Sequence, residues 1–114
     1  MNRPIVQKLG EHRDRRLLDL AHRLHECPNC VEFRPDGLEP AHANWPEFGK
    51  GMSIKAGDWA HAALCHACHF WLDQGKGMDP SGRWTVGEKR QMWERAYWET
   101  MRAYWINGWL KVAA

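Results

Sequence analysis

Leu64-Cys65-His66-Ala67-Cys68-His69 repeats the spacing of Cys27-Pro28-Asn29-Cys30, so two residues separate two cysteines twice in one chain. Two intervening residues let both thiolates of a tight turn point at one ion, and two such turns complete the tetrahedral Cys₄ shell that zinc prefers in structural sites. That shell has no open position. A zinc ion there would hold the fold rather than do chemistry, and its binding energy would be folding energy. A redox Cys-x-x-Cys usually comes singly and in a β-α-β setting, which this sequence does not offer. Close cysteine pairs in a chain expected to stay in a reducing cytoplasm point to metal rather than disulfides.

The 114 residues suit one domain, 1–114, and fall short of two ordinary ones. A domain this small buries a modest fraction of its surface, which makes a metal staple useful. The formal charge of +2 permits nucleic acid as a partner without demanding it. Met1-Asn2-Arg3-Pro4 opens no apolar leader, and no stretch approaches eighteen consecutive apolar residues. The expectation is therefore a soluble, cytoplasmic protein with no membrane partner. Eight tryptophans are a heavy load, and composition does not say whether they form core, a partner surface or both.

Working outward from the knuckles, residues 13–25 are predicted to form a helix with Leu17, Leu20, Ala21 and Leu24 on one face. Val31-Glu32-Phe33 alternates as a strand does, Pro35-Asp36-Gly37 is a turn, and Leu38 to Ala43 is the predicted returning strand of a hairpin. Residues 44–57 read as a loop. A short helix follows the second knuckle to about Gln74, ended by Gly75 and Gly77. Thr85 and Glu88 fit a capping box, opening a long helix over 85–107 with Trp93, Ala96, Thr100, Met101 and Tyr104 as its apolar stripe and Gly108 as its stop. Trp109 to Val112 is read as a short terminal strand. The fold class is thus α+β: a zinc-stapled ββα core at 27–75, an N-terminal helix, a long C-terminal helix, and residues 1–12 as a flexible lead-in.

Seven histidines are many for this length. If one ion pins both knuckles, the end of the hairpin, with His42, comes to the start of the following helix, with His69. Asp73 lies four residues after His69 and so on the same helical face, able to orient it or to bind metal. Asp58 and Asn44 are further oxygen donors. A histidine free of metal can act as general base on water, while a second, with oxygen ligands, holds a divalent cation against a phosphate. A hard ion such as Mg²⁺ keeps several waters and suits so sparse a set. His61 is either core or site edge. His66 is expected at the surface or bonded to the knuckle backbone, and His12, His22 and His25 on the surface.

The combination resembles the HNH (His-Me finger, ββα-metal) endonucleases. More specifically, Glu39-Pro40-Ala41-His42-Ala43-Asn44, Gly49-Lys50-Gly51-Met52, Lys55-Ala56 with Asp58, and Trp71-Leu72-Asp73-Gln74-Gly75 look like the YbcO-like nucleases of phages and prophages. The likeness runs from about residue 17, with Leu17-Leu18-Asp19-Leu20-Ala21, to Gly108-Trp109-Leu110-Lys111-Val112. The resemblance implies a DNA endonuclease in which His42 activates water and His69 binds a single Mg²⁺ or Mn²⁺, leaving 5′-phosphate and 3′-hydroxyl ends. It implies a role in phage or prophage recombination or in DNA processing. Two positions depart from the pattern: Ala60 stands where the middle asparagine is usual, and Ala41 where many relatives have an aspartate. Asp58 and Asn44 are the candidates to fill in.

DNA contact is expected from Lys50, Lys55 and Lys76, with Arg83, Lys89 and Arg90 as a second set. Such phosphate contacts position a substrate without reading its sequence. The alternative function is a non-catalytic zinc module that binds DNA or protein. Its long helix, with Trp93, Trp98 and Trp105, would then serve a partner or a homodimer. His42 paired with His69 is the feature a pure binder does not need.

Overall fold

A computed structural model of the chain describes residues 12–51, 54–82 and 88–113. Within them the element order is helix α1 (Arg15–Asp19) running into a 3₁₀ turn (Leu20–Arg23), strand β1 (Glu39–His42), a 3₁₀ turn (Pro46–Phe48), strand β2 (His61–Leu64), helix α2 (His66–Gln74) and helix α3 (Lys89–Ile106). This is a small α+β fold.

The strand pairing differs from expectation. β1 pairs antiparallel with β2, with Glu39 opposite Leu64 and His42 opposite His61. Val31–Phe33 forms no strand. Val31 has φ +66°, and its amide donates to Cys27 O at 2.8 Å, so the knuckle turn itself occupies these residues. Only a single bridge joins Glu26 to Phe33. The Pro35–Gly37 turn therefore leads back to the first helical segment rather than closing a hairpin. Gly37 has φ +87°, and a Cβ there would sit 2.2 Å from His22 O, so only glycine fits.

All of β2 is buried, unusual for a two-stranded sheet, which is marginal without further packing. Ala41, Ala43, Ala60, Ala62 and Ala63 are fully buried, and side chains this short let α3 lie close against the sheet. The buried stripe of α3 is Met92, Trp93, Ala96, Thr100 and Tyr104. Trp93 Nε1 donates to Ala41 O at 2.9 Å, and Ala63 N donates to Thr100 Oγ1 at 2.9 Å. In this way side chains of α3 satisfy backbone groups that a third strand would otherwise take. Trp93 also meets Trp45, Phe48 and Tyr97 at ring separations of 5.6, 5.1 and 4.9 Å, which fastens the 44–57 loop.

The first helix is shorter than expected, tightening to 3₁₀ geometry at Leu20; Asp14 caps it by accepting from Leu17 N. Thr85, the expected cap of the long helix, lies outside the described residues, and α3 begins at Lys89. Residues 109–112 form no strand. Instead Gly108 adopts φ +73°, with Trp109 N donating to Tyr104 O and Gly108 N to Trp105 O. This pairing is a Schellman stop. No described helix is long and apolar enough to cross a membrane.

His61 is core. Its Nδ1–H donates to Asp58 O at 2.7 Å and its Nε2 accepts from Tyr104 Oη at 2.9 Å. Burial pushes its pKa below the ordinary 6.5, outweighing the raising effect of Asp58. Folding thus favours neutral His61, so its stabilisation is complete above pH ~6.5. It is lost as pH falls from there through the folded value, because the unfolded chain takes up the proton first. Unfolding free energy measured between pH 7.5 and 5 should therefore fall more steeply for wild type than for His61→Gln. Parallel curves would refute this.

Candidate active site and metal centre

Cys27, Cys30, Cys65 and Cys68 converge between the first knuckle and the start of α2, with their sulfurs all within 4.8 Å of one another. None is in a disulfide. Tetrahedral zinc with Zn–S bonds of about 2.3 Å places sulfurs roughly 3.8 Å apart; Cys30 Sγ and Cys65 Sγ are at 3.6 Å. Polar groups face the sulfurs: Asn29 Nδ2 donates to Cys68 Sγ at 3.4 Å and Arg34 Nη2 to Cys65 Sγ at 3.7 Å. Such donors suit thiolates. The four cysteines thus form a site able to bind a metal such as zinc, and among the described residues they are the one His/Cys/Asp/Glu cluster of three or more with metal-binding geometry.

Beside this centre an open cleft of about 710 Å³ runs between the first helical segment and the β1–α2 face. It is lined by His42, Asn44, Lys50, Lys55, His69 and Asp73, with Arg15, Asp19 and His22 forming part of the opposite wall. Most of the candidate residues therefore meet in one place.

His42 closes β1 at the cleft wall. Its Nε2 lies 2.8 Å from Asp58 Oδ1. An ionised carboxylate only accepts hydrogen bonds, so Nε2 carries the proton and Nδ1 keeps the basic lone pair. Asp58 lies behind His42, with its side chain 6% exposed. Asp14 N donates to its Oδ2 at 2.7 Å, and Arg13 stands 3.8 Å from Oδ1. Burial alone would raise the Asp58 pKa, but hydrogen bonds from His42 and Asp14 and the nearby positive charges outweigh it, so the group titrates below the usual carboxylate range.

His69 lies one turn into α2. Its Nδ1 is 2.8 Å from Glu39 Oε1 and its Nε2 is 3.2 Å from Asp73 Oδ2. Asn44 Nδ2 donates to Asp73 Oδ1 at 3.0 Å. Asp73, and then Glu39, raise the His69 pKa against the opposing effect of burial. Burial pushes Asp73 up, yet His69, Asn44 and the Lys89 charge bring it below its ordinary value. The 3.2 Å separation of His69 and Asp73 is a hydrogen bond, and it is also near the roughly 3 Å between two cis ligands of an octahedral ion with bonds of about 2.1 Å.

Sequence reasoning passed over Glu39, whose other oxygen lies 3.0 Å from His66 Nδ1. Its signal was its place three residues before His42, but only the β1–β2 register puts it over α2. Lys76 is exposed but outside the cleft, and Arg83 lies outside the described residues. Lys89 and Arg90 are engaged by the fold. Lys89 donates to Gly75 O, while Arg90 pairs with Glu47 and Glu94 and lies over Trp45.

If the sulfur site carries folding energy, stripping metal with a strong chelator should abolish the cooperative thermal transition, and Cys68→Ala should do the same without chelator. An unchanged melting temperature after verified metal loss would contradict a structural role.

Compared with family models, curated proteins and solved structures, the chain finds no match.

Proposed function

We propose that the protein is a metal-dependent DNA endonuclease of the HNH type. The observation that carries this reading is the single cleft that holds His42, backed by Asp58, opposite His69 and Asp73, with Lys50 and Lys55 on its rim. The strand–strand–helix order β1–β2–α2 beside four clustered cysteines supports it, because it sets one histidine at a strand end and the other on the following helix.

In this reading His42 Nδ1 takes a proton from water, and the resulting hydroxide attacks phosphorus in line. The bond to the 3′ oxygen breaks, the leaving alkoxide takes a proton from water and His42 returns its own to solvent, giving 5′-phosphate and 3′-hydroxyl ends. Asp58, kept ionised, holds His42 in its Nε2–H tautomer and stabilises the imidazolium as it forms. His69 and Asp73 would hold a divalent cation, which when bound would supply Lewis acidity to stabilise charge on the phosphate and the leaving oxygen. Asn44 orients Asp73. Lys50 and Lys55 contact phosphates and give affinity without sequence readout. A role in phage or prophage DNA processing belongs to the same proposal.

The test is cleavage of supercoiled DNA with Mg²⁺, Mn²⁺ or EDTA. His42→Ala should lower the metal-dependent rate by about 10²–10⁴-fold with zinc content unchanged. Retention of DNA in a gel shift without cleavage under any condition would replace this reading with the non-catalytic zinc module. Removing Lys50 and Lys55 together should flatten the plot of log affinity against log salt by about 2; an unaltered slope would place DNA elsewhere on the surface.

A further inference from the structure

Glu39 is the first residue of β1, opposite Leu64 in the sheet, and its carboxylate reaches across to α2. Each of its oxygens meets a different histidine: Oε1 the Nδ1 of His69 at 2.8 Å, and Oε2 the Nδ1 of His66 at 3.0 Å. Both histidines belong to α2, three residues apart, so they lie on one helical face. A carboxylate held at both oxygens has little freedom to rotate. An ionised carboxylate can only accept, so the proton on this side of His69 is fixed on Nδ1. The other nitrogen, Nε2, lies 3.2 Å from Asp73 Oδ2 and by the same rule holds a proton in the ion-free site, so a cation bound between Nε2 and Asp73 would take that proton's place.

We propose that Glu39 is a positioning residue for the cation site, locking His69 in the Nδ1–H form with Nε2 turned to Asp73 and so setting the affinity for a divalent ion. The ion itself rests on the nuclease reading above; the orientation of His69 does not. The arrangement carboxylate–imidazole–cation raises the basicity of the ligating nitrogen and removes the entropy of a swivelling ring, and loss of such a partner typically weakens metal affinity about 10–100-fold. Glu39 reaches the cation only through His69.

The experiment uses the full chain with its cysteine site loaded with zinc, and Mn²⁺ as probe. Free Mn²⁺ is counted by electron paramagnetic resonance, and ¹⁵N shifts of the imidazoles, read without Mn²⁺ at a pH where His69 is neutral, report its tautomer. Glu39→Ala should weaken Mn²⁺ binding by about 10–100-fold and lose the pure Nδ1–H signature. Glu39→Gln keeps an oxygen acceptor without the charge. It should retain the tautomer and bind Mn²⁺ several-fold more weakly than wild type, a comparison that decides the matter if Glu39→Ala fails to fold. His69→Ala should abolish binding. Wild-type affinity and tautomer in both Glu39 variants, with binding still lost in His69→Ala, would overturn the role of Glu39 and leave the nuclease reading standing. Failure of the wild-type protein to bind Mn²⁺ would overturn both.

Discussion

The convergence of four sulfurs is the constraint on which the rest of the molecule depends. Cys30 and Cys65 are far apart in sequence, yet their sulfurs lie 3.6 Å apart. Closing a loop of that length costs chain entropy that no local contact returns. A two-stranded sheet of four-residue strands cannot supply it alone. With the knuckles joined, the turn from β2 into α2 is fixed, and with it the direction in which His69 leaves the sheet. His42 is set by the same device at one remove, because β1 must pair with the strand that the second knuckle ends.

Alanine is the second theme. Ala41, Ala62 and Ala63 in the strands, with Ala43 and Ala60 flanking them, are all fully buried. Alone they would give a thin core. What they give instead is clearance for the large side chains of α3, and Trp93 and Tyr104 fill it while also hydrogen bonding to the sheet. Bulk is thus supplied by the helix and proximity by the strands, a division that a tightly packed small domain can use. The tryptophans divide accordingly: Trp93 and Trp71 are buried, whereas Trp98 and Trp105 stand exposed on α3.

The metal pattern, the helix after the second knuckle, and the long helix with its stop at Gly108 were legible because each rests on local chemistry: ligand spacing, helical period, and the left-handed preference of glycine. The choice of strand partner was not. Val31-Glu32-Phe33 has the alternation of a strand, but alternation does not reveal that a knuckle turn already uses the Cys27 carbonyl and the Glu32 carbonyl. His61-Ala62-Ala63-Leu64, which does pair, shows no alternation because it is covered on both faces. The site followed the same rule. His42, His69 and Asp73 could be named from spacing and from resemblance, while Glu39 depended on register, and one residue of slip would have turned it to the other face.

The segment just before α1 is stitched to the segment just before β2. Asp58 N donates to His12 O, Asp14 N donates to Asp58 Oδ2, and Arg13 reaches the carbonyls of Ala56 and Lys55. Mechanically, the backing of His42 is therefore anchored to residues 12–14 as well as to the core, where His61 Nδ1 donates to Asp58 O. A fusion partner, affinity tag or surface linkage joined ahead of His12 would pull directly on that anchor, whereas one placed after Val112 would pull on a stretch distant in sequence from it.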